Sequence, residues 1–239
     1  MQAVESCFAE RIRAVRERIV RAAARARRDP AGITLVAVSK RFPAASIREA
    51  YTLGLRDFGE NYLQEFDSKF QDLGDLPGAR YHFIGHLQSN KAKRAAELFD
   101  VVQTIDTAKL ARRLNESGRT LDVFVEVKLS EEATKSGADA EGLGALVDAV
   151  RACESLRLKG LMTMPPWTED AEASRPYFAR LRGLAELHGL SDLSMGMSHD
   201  LEAAIEEGAT LVRVGTALFG ERSARLASGG VEPGNESLV

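Results

Sequence analysis

The run Ile33-Thr-Leu-Val-Ala-Val-Ser-Lys40 decides how the rest of the chain is read. It is apolar and β-branched along nearly its whole length, as a strand buried on both faces is, and a helical pattern follows at once. It also closes on a lysine. A buried ammonium is costly, so a lysine where a core strand runs out either reaches water or stays neutral for chemistry. Val36, Val38 and Lys40 share one parity, so if the valines fill the interior of a closed sheet, the lysine points into its mouth.

Seven further runs of the same kind follow, at 56–61, 80–85, 101–105, 122–128, 157–164, 193–198 and 211–215. Helical patterns separate them: 45–53 before Gly54, 89–98 with Ser89 as its cap, 108–116 near Gly118, then 140–153, 171–188 and 200–207 before Gly208. Eight strand–helix units with strands too apolar to face water predict a closed parallel (β/α)8 TIM barrel. A doubly wound sheet is the alternative. Against it, no G-x-G-x-x-G turn follows the first strand, and Gly142-Leu-Gly144-Ala-Leu-Val147 falls inside a helical pattern. Phe8, Ile12, Val15 and Ile19 mark one face of an extra N-terminal amphipathic helix, and Glu5, Glu10 and Glu17 break the basic pattern that a transit peptide would show. The barrel and that helix are expected to occupy residues 1–222, with 223–239 a flexible, Gly- and Pro-bearing tail.

Composition narrows the function classes. Of 239 residues, 44% are hydrophobic and 28% charged, enough for one barrel-sized core. The net charge of −3 supplies no basic field for nucleic acid. Cys7 and Cys153 are far apart and in no ligand spacing, which suits a reducing cytoplasm and argues against zinc. No apolar stretch is long enough to span a bilayer, and no secretory segment opens the chain.

In such a barrel, chemistry collects where strands end. Lys40 ends the first, Asn61 the second, and the third leads into His82-Phe-Ile-Gly-His-Leu-Gln-Ser-Asn90. Ser194-Met-Gly-Met-Ser198 and Val212-Arg-Val-Gly-Thr216 end the last two, where barrels often bind phosphate. They offer two hydroxyls, a bare glycine backbone and unpaired N–H groups at helix starts. Ser198 also reads as a plain helix cap and Gly215-Thr216 as an ordinary turn. Arg213 either faces inward or sits on the helix side, meeting a pyridine nitrogen, a carboxylate such as Glu60 or Glu126, or both. A strand-end amine beside a dianion site suits a phosphorylated aldehyde, and pyridoxal 5'-phosphate (PLP) is the commonest aldehyde held by lysine.

The motifs AVSK at 37–40, FGEN at 58–61, HFIGHLQSNK at 82–91, TKSG at 134–137, GLMTMPP at 160–166, SMGMS at 194–198 and RVGTALFG at 213–220 resemble, in this order, those of the YggS/PROSC family of PLP homeostasis proteins. That family's fold is similar to the barrel of alanine racemase. The resemblance implies that Lys40 forms the internal aldimine, that Ser198, Gly215 and Thr216 hold the phosphate, that Arg213 faces the pyridine nitrogen, and that Asn61 lines the pocket. An arginine there disfavours ring protonation and weakens the ring as an electron sink. Lys135 is a candidate for PLP entry or exit. One departure is Phe42, where many relatives carry a second lysine.

The resemblance implies a non-catalytic PLP carrier that supplies apo PLP-dependent enzymes; the cysteines suit the cytoplasm, and a chain without the racemase's C-terminal domain, which carries its usual dimer surface, is expected to be a monomer. The alternative is a PLP-dependent amino-acid racemase. Its second base is a tyrosine from a β-rich C-terminal domain, and residues 221–239 contain neither; Tyr51, Tyr62, Tyr81 and Tyr177 remain, with Tyr51 and Tyr177 in helical runs. A cofactor-free aldolase using Lys40 fits the barrel but would leave the phosphate motifs unexplained unless its substrate is phosphorylated. His82 and His86 complete no metal motif, and no G-x-S-x-G marks a serine hydrolase.

Overall fold

The predicted runs become the staves of one barrel: β1 (Thr34–Val38), β2 (Asp57–Glu60), β3 (Arg80–Phe83), β4 (Val101–Ile105), β5 (Leu121–Glu126), β6 (Leu156–Met162), β7 (Asp192–Met197) and β8 (Leu211–Val214). They pair in parallel in chain order, and β8 closes onto β1. A computed structural model describes residues 7–130 and 136–220. Each stave lies within two residues of the expected span at either end, and β1 stops at Val38, two residues before Lys40.

Period two sorts the strand residues. Val36, Val101, Phe124, Met162 and Leu211 form an apolar cluster inside the barrel, while Ala37, Phe58, Phe83, Val102, Val123 and Val212 pack outward under the helices. The outer ring holds α1 (Cys7–Arg25), α2 (Ala44–Thr52), α3 (Leu63–Phe70), α4 (Ala92–Leu98), α5 (Ala108–Asn115), α6 (Leu143–Arg151), α7 (Arg175–Leu187), α8 (Leu201–Glu206) and α9 (Thr216–Phe219). The α1 face made by Phe8, Ile12, Val15 and Ile19 is buried as expected. Arg18 fixes α1 to α8 with a two-pronged bond to Glu202 at 2.6 and 2.7 Å, and Phe8 packs on Phe219 of α9 at 5.2 Å.

Three expectations are corrected. Lys40 does not end a strand: it lies in a turn two residues past β1, because Ser39 makes the last bond to Gly59 O, Arg41 turns left-handed (φ 65°), and Pro43 takes the cap position before α2. Ser89 caps nothing, since the 89–98 helix opens with a 3-10 turn, Ser89–Lys91, whose cap position is Gln88. The sequence reading also passed over α3 and α9. The tail expected at 223–239 and the Lys135 site lie outside the described residues.

Candidate functional site

Four adjacent staves, β7, β8, β1 and β2, carry Ser198, Arg213, Gly215, Thr216, Lys40 and Asn61 at or just past their C-terminal ends. Lys40 is half-buried in its turn. Below it, a buried polar cluster holds that turn. Ser39 Oγ donates to Glu60 Oε1 at 2.8 Å, Lys69 Nζ donates to the same oxygen at 3.0 Å and to Glu65 Oε1 at 2.6 Å, and the Arg41 N–H donates to Glu65. Burial pushes the Glu60 carboxyl above the usual range, with the Lys69 charge pulling it back. Lys69 comes from the unforeseen α3, and nothing in the spacing of a lone helical lysine announced it.

Phe42, the departure from the expected lysine, stacks on Phe219 at 5.0 Å, so it ties the Lys40 turn to α9. Asn61 follows β2, and its Oδ1 is buried without a hydrogen-bond partner among the described residues. Gly85 makes this placement possible: a Cβ there would lie 2.1 Å from Asn61 O.

The β7 and β8 loops meet through Ser198. Its Oγ accepts from the N–H groups of Gly215 and Ala217, both at 3.3 Å, so it holds an oxygen at the start of α9 rather than capping α8. Asp200 takes the turn's other bond, accepting from the Met197 N–H at 2.7 Å. Gly215 packs against β1, where an added Cβ would meet Val38 O at 3.4 Å, and Thr216 stands exposed at the rim.

Arg213 faces inward and is 3% exposed. Nη1 donates to Ser194 Oγ at 2.6 Å and Nη2 to Thr163 O at 2.8 Å. The ion pair considered with Glu60 or Glu126 is not how it is held; Glu60 is taken by Lys69, and Glu126 acts only through charge. Burial pushes the guanidinium down to about 10, opposed by Asp200 and then Glu126. Glu126 is itself buried, receives a bond from Ser136 Oγ at 3.2 Å, and is raised by burial. It lines a cavity of about 590 Å³ with Met164, Trp167 and Met197 beside the mouth.

The other candidates separate. Tyr51 and Tyr81 donate to the carbonyls of Pro77 and Leu73, and burial pushes the Tyr81 phenol up to about 12, away from any role as a base. His82 is buried inside the barrel while His86 sits 3.6 Å from Asp106 outside it, and among the described residues no group of three His, Cys, Asp or Glu side chains could hold a metal. No described helix is long and apolar enough to cross a membrane.

The model of the alanine racemase N-terminal domain family matches residues 11–223. The pyridoxal phosphate homeostasis protein of Pseudomonas aeruginosa is 53% identical over 223 residues, 91% of this chain and 96% of that protein. Its counterpart in Escherichia coli is 44% identical over 227 residues, 90% and 97% of the two chains. The structure of PipY from Synechococcus elongatus, solved with PLP bound, is 40% identical with a TM-score of 0.79, covering 89% of this chain and 100% of that one. Alanine racemase from Corynebacterium glutamicum shares the fold alone, at 18% identity and a TM-score of 0.67 over 96% of this chain and 63% of its own. By family model and by near full-length identity, this chain belongs to the pyridoxal phosphate homeostasis protein family, built on the barrel of the alanine racemase N-terminal domain.

Proposed function

We propose that the mouth formed by β7, β8, β1 and β2 binds PLP and that the protein works in PLP homeostasis without catalytic turnover. The observation that carries this is the Ser198 hydroxyl set between two backbone N–H groups of the β8 loop, an oxygen-holding cradle of the kind a phosphate uses. The buried unpartnered Asn61 Oδ1 and the buried Arg213 cation, which no carboxylate touches directly, fit the same ligand. When bound, PLP supplies an aldehyde that condenses with a primary amine and releases water.

Each residue then has a task. Lys40 offers the amine, on a turn anchored by Ser39, Glu60, Glu65 and Lys69. Ser198, Gly215 and Thr216 take the phosphate, and Asn61 lines the ring's edge. With Nη1 and Nη2 held by Ser194 and Thr163, Arg213 would meet the ring nitrogen of a bound PLP as a donor and keep a proton off it. Such a ring stores an aldehyde better than it stabilises a carbanion. The carrier acts in the cytoplasm as a monomer and delivers PLP to apo-enzymes that need it.

Adding PLP to the purified protein while recording its visible spectrum and fluorescence tests the reading. Saturable binding with a yellow protein supports it; no uptake contradicts it and favours a cofactor-free aldolase.

A further inference from the structure

Arg213, Ser194, Gln103, His82 and Asp57 come from β8, β7, β4, β3 and β2, and one file of hydrogen bonds joins them through the barrel. Its polarity is forced. A guanidinium only donates, so Ser194 Oγ accepts from Nη1 at 2.6 Å and must send its own proton onward, to Gln103 Oε1 at 2.6 Å. That fixes the carboxamide, which turns Nε2 to His82 at 2.9 Å. His82 Nδ1 therefore accepts, and Nε2–H donates to Asp57 Oδ1 at 2.8 Å. A cation stands at one end, a carboxylate at the other, and every dipole between them points the same way.

The two ends lie at opposite poles. Arg213 sits beneath the mouth, and Asp57 opens β2 at the barrel floor. Ser194 and Gln103 are fully buried and His82 is 1% exposed, whereas Asp57 is half-buried. A floor cavity of about 230 Å³, lined by Arg80, His82, Asp122, Lys159 and Asp192, brings solvent to that end. A polar file through a barrel interior that packing would fill with branched apolar groups needs a reason beyond stability.

We infer that Ser194, Gln103, His82 and Asp57 are positioning residues for the PLP ring: they fix the roll of Arg213 against the ring nitrogen and couple that nitrogen to a carboxylate at the opposite pole. The inference rests on the reading of Arg213 as the ring's partner. Breaking the file at Gln103 strands the Ser194 proton, turns that hydroxyl, and releases Nη1.

The test uses the full chain loaded with PLP. First, borohydride reduction of the wild type and peptide mapping ask whether PLP sits on Lys40; a negative result there overturns the underlying site reading. Then Gln103→Met, which keeps shape and removes the bonds, is compared with Gln103→Glu, which still accepts from Ser194 and keeps an oxygen facing His82. Expected are a visible band constant across neutral pH for the wild type and Gln103→Glu, and one that shifts with pH for Gln103→Met. In ring-nitrogen NMR, His82 is expected as the Nε2–H tautomer in the wild type. Ser194→Ala breaks the same file with the loss of one oxygen and serves if Gln103→Met does not fold. A wild-type spectrum at every pH in Gln103→Met or Ser194→Ala overturns the coupling, as does an Nδ1–H tautomer of His82 in the wild type.

Discussion

Lys69 Nζ donates to Glu60 Oε1 at 3.0 Å, with the two side chains 9% and 0% exposed, and this pair is the floor on which the Lys40 turn rests. Removing one partner of such a pair strands the other charge. Lys69→Met leaves Glu60 and Glu65 without their cation and is expected to cost about 3 kcal/mol, read from urea unfolding. Glu60→Gln keeps an acceptor for Ser39 and Lys69 and gives the partnerless Oε2 position a donor, so a change under about 1 kcal/mol is expected. Equal losses in the two variants would contradict this assignment of the charges.

The same pair sets a pH dependence. Burial raises the Glu60 carboxyl in the folded state, so its contribution to stability is full below the ordinary carboxylate range and is lost as pH rises through the raised folded value. Glu60→Gln has no proton to lose there. Its stability relative to the wild type is expected to climb as pH rises from acid toward neutral. A difference that stays flat with pH would remove Glu60 from the titration.

Gly85 and Asn61 are in backbone contact, with room for no side chain between them. Gly85→Ala is expected to cost about 1 to 3 kcal/mol through overpacking and to weaken PLP binding by moving Asn61. Thermal melts and PLP titration check the two effects. Full stability with unchanged affinity would show that the 61 and 85 loops part freely.

At the proposed phosphate end, Ser198→Ala and Thr216→Val each remove one hydroxyl. Each is expected to weaken PLP binding by about 1 to 3 kcal/mol, because a bond to a charged oxygen is lost. Equilibrium dialysis against PLP reads both. An unchanged affinity for Thr216→Val would take that exposed residue off the phosphate.

The sequence was informative where periodicity is strong. The staves and the α1 face at Phe8, Ile12, Val15 and Ile19 followed from spacing alone, because a buried face repeats its apolar residues. The strand ends pointed to Lys40, Asn61, Ser198, Arg213, Gly215 and Thr216, and the fold places all six at the ends of four neighbouring staves. What stayed hidden has a common cause. In α3 a lysine occupies a buried position beside Leu63 and Phe66, which spoils the apolar stripe, and α9 is four residues long. The file from Arg213 to Asp57 joins residues 19 to 91 positions apart, one polar side chain per strand, and no local spacing marks such a set.

The racemase alternative needs a base, and Tyr81, raised to about 12 and bonded to Leu73 O, is not placed to be one. Purified protein loaded with PLP is expected to show no sustained conversion of L-alanine to D-alanine by chiral chromatography. Steady turnover proportional to protein would overturn the carrier reading.

The central claim is that Lys40 takes the aldehyde of PLP. Borohydride reduction of the PLP-loaded protein followed by peptide mass mapping tests it most directly, with Lys40→Ala as control. The account predicts the pyridoxyl mass on the peptide containing Lys40, and a folded Lys40→Ala variant that carries none. A label on another lysine, or a Lys40→Ala variant labelled as fully as the wild type, would contradict it.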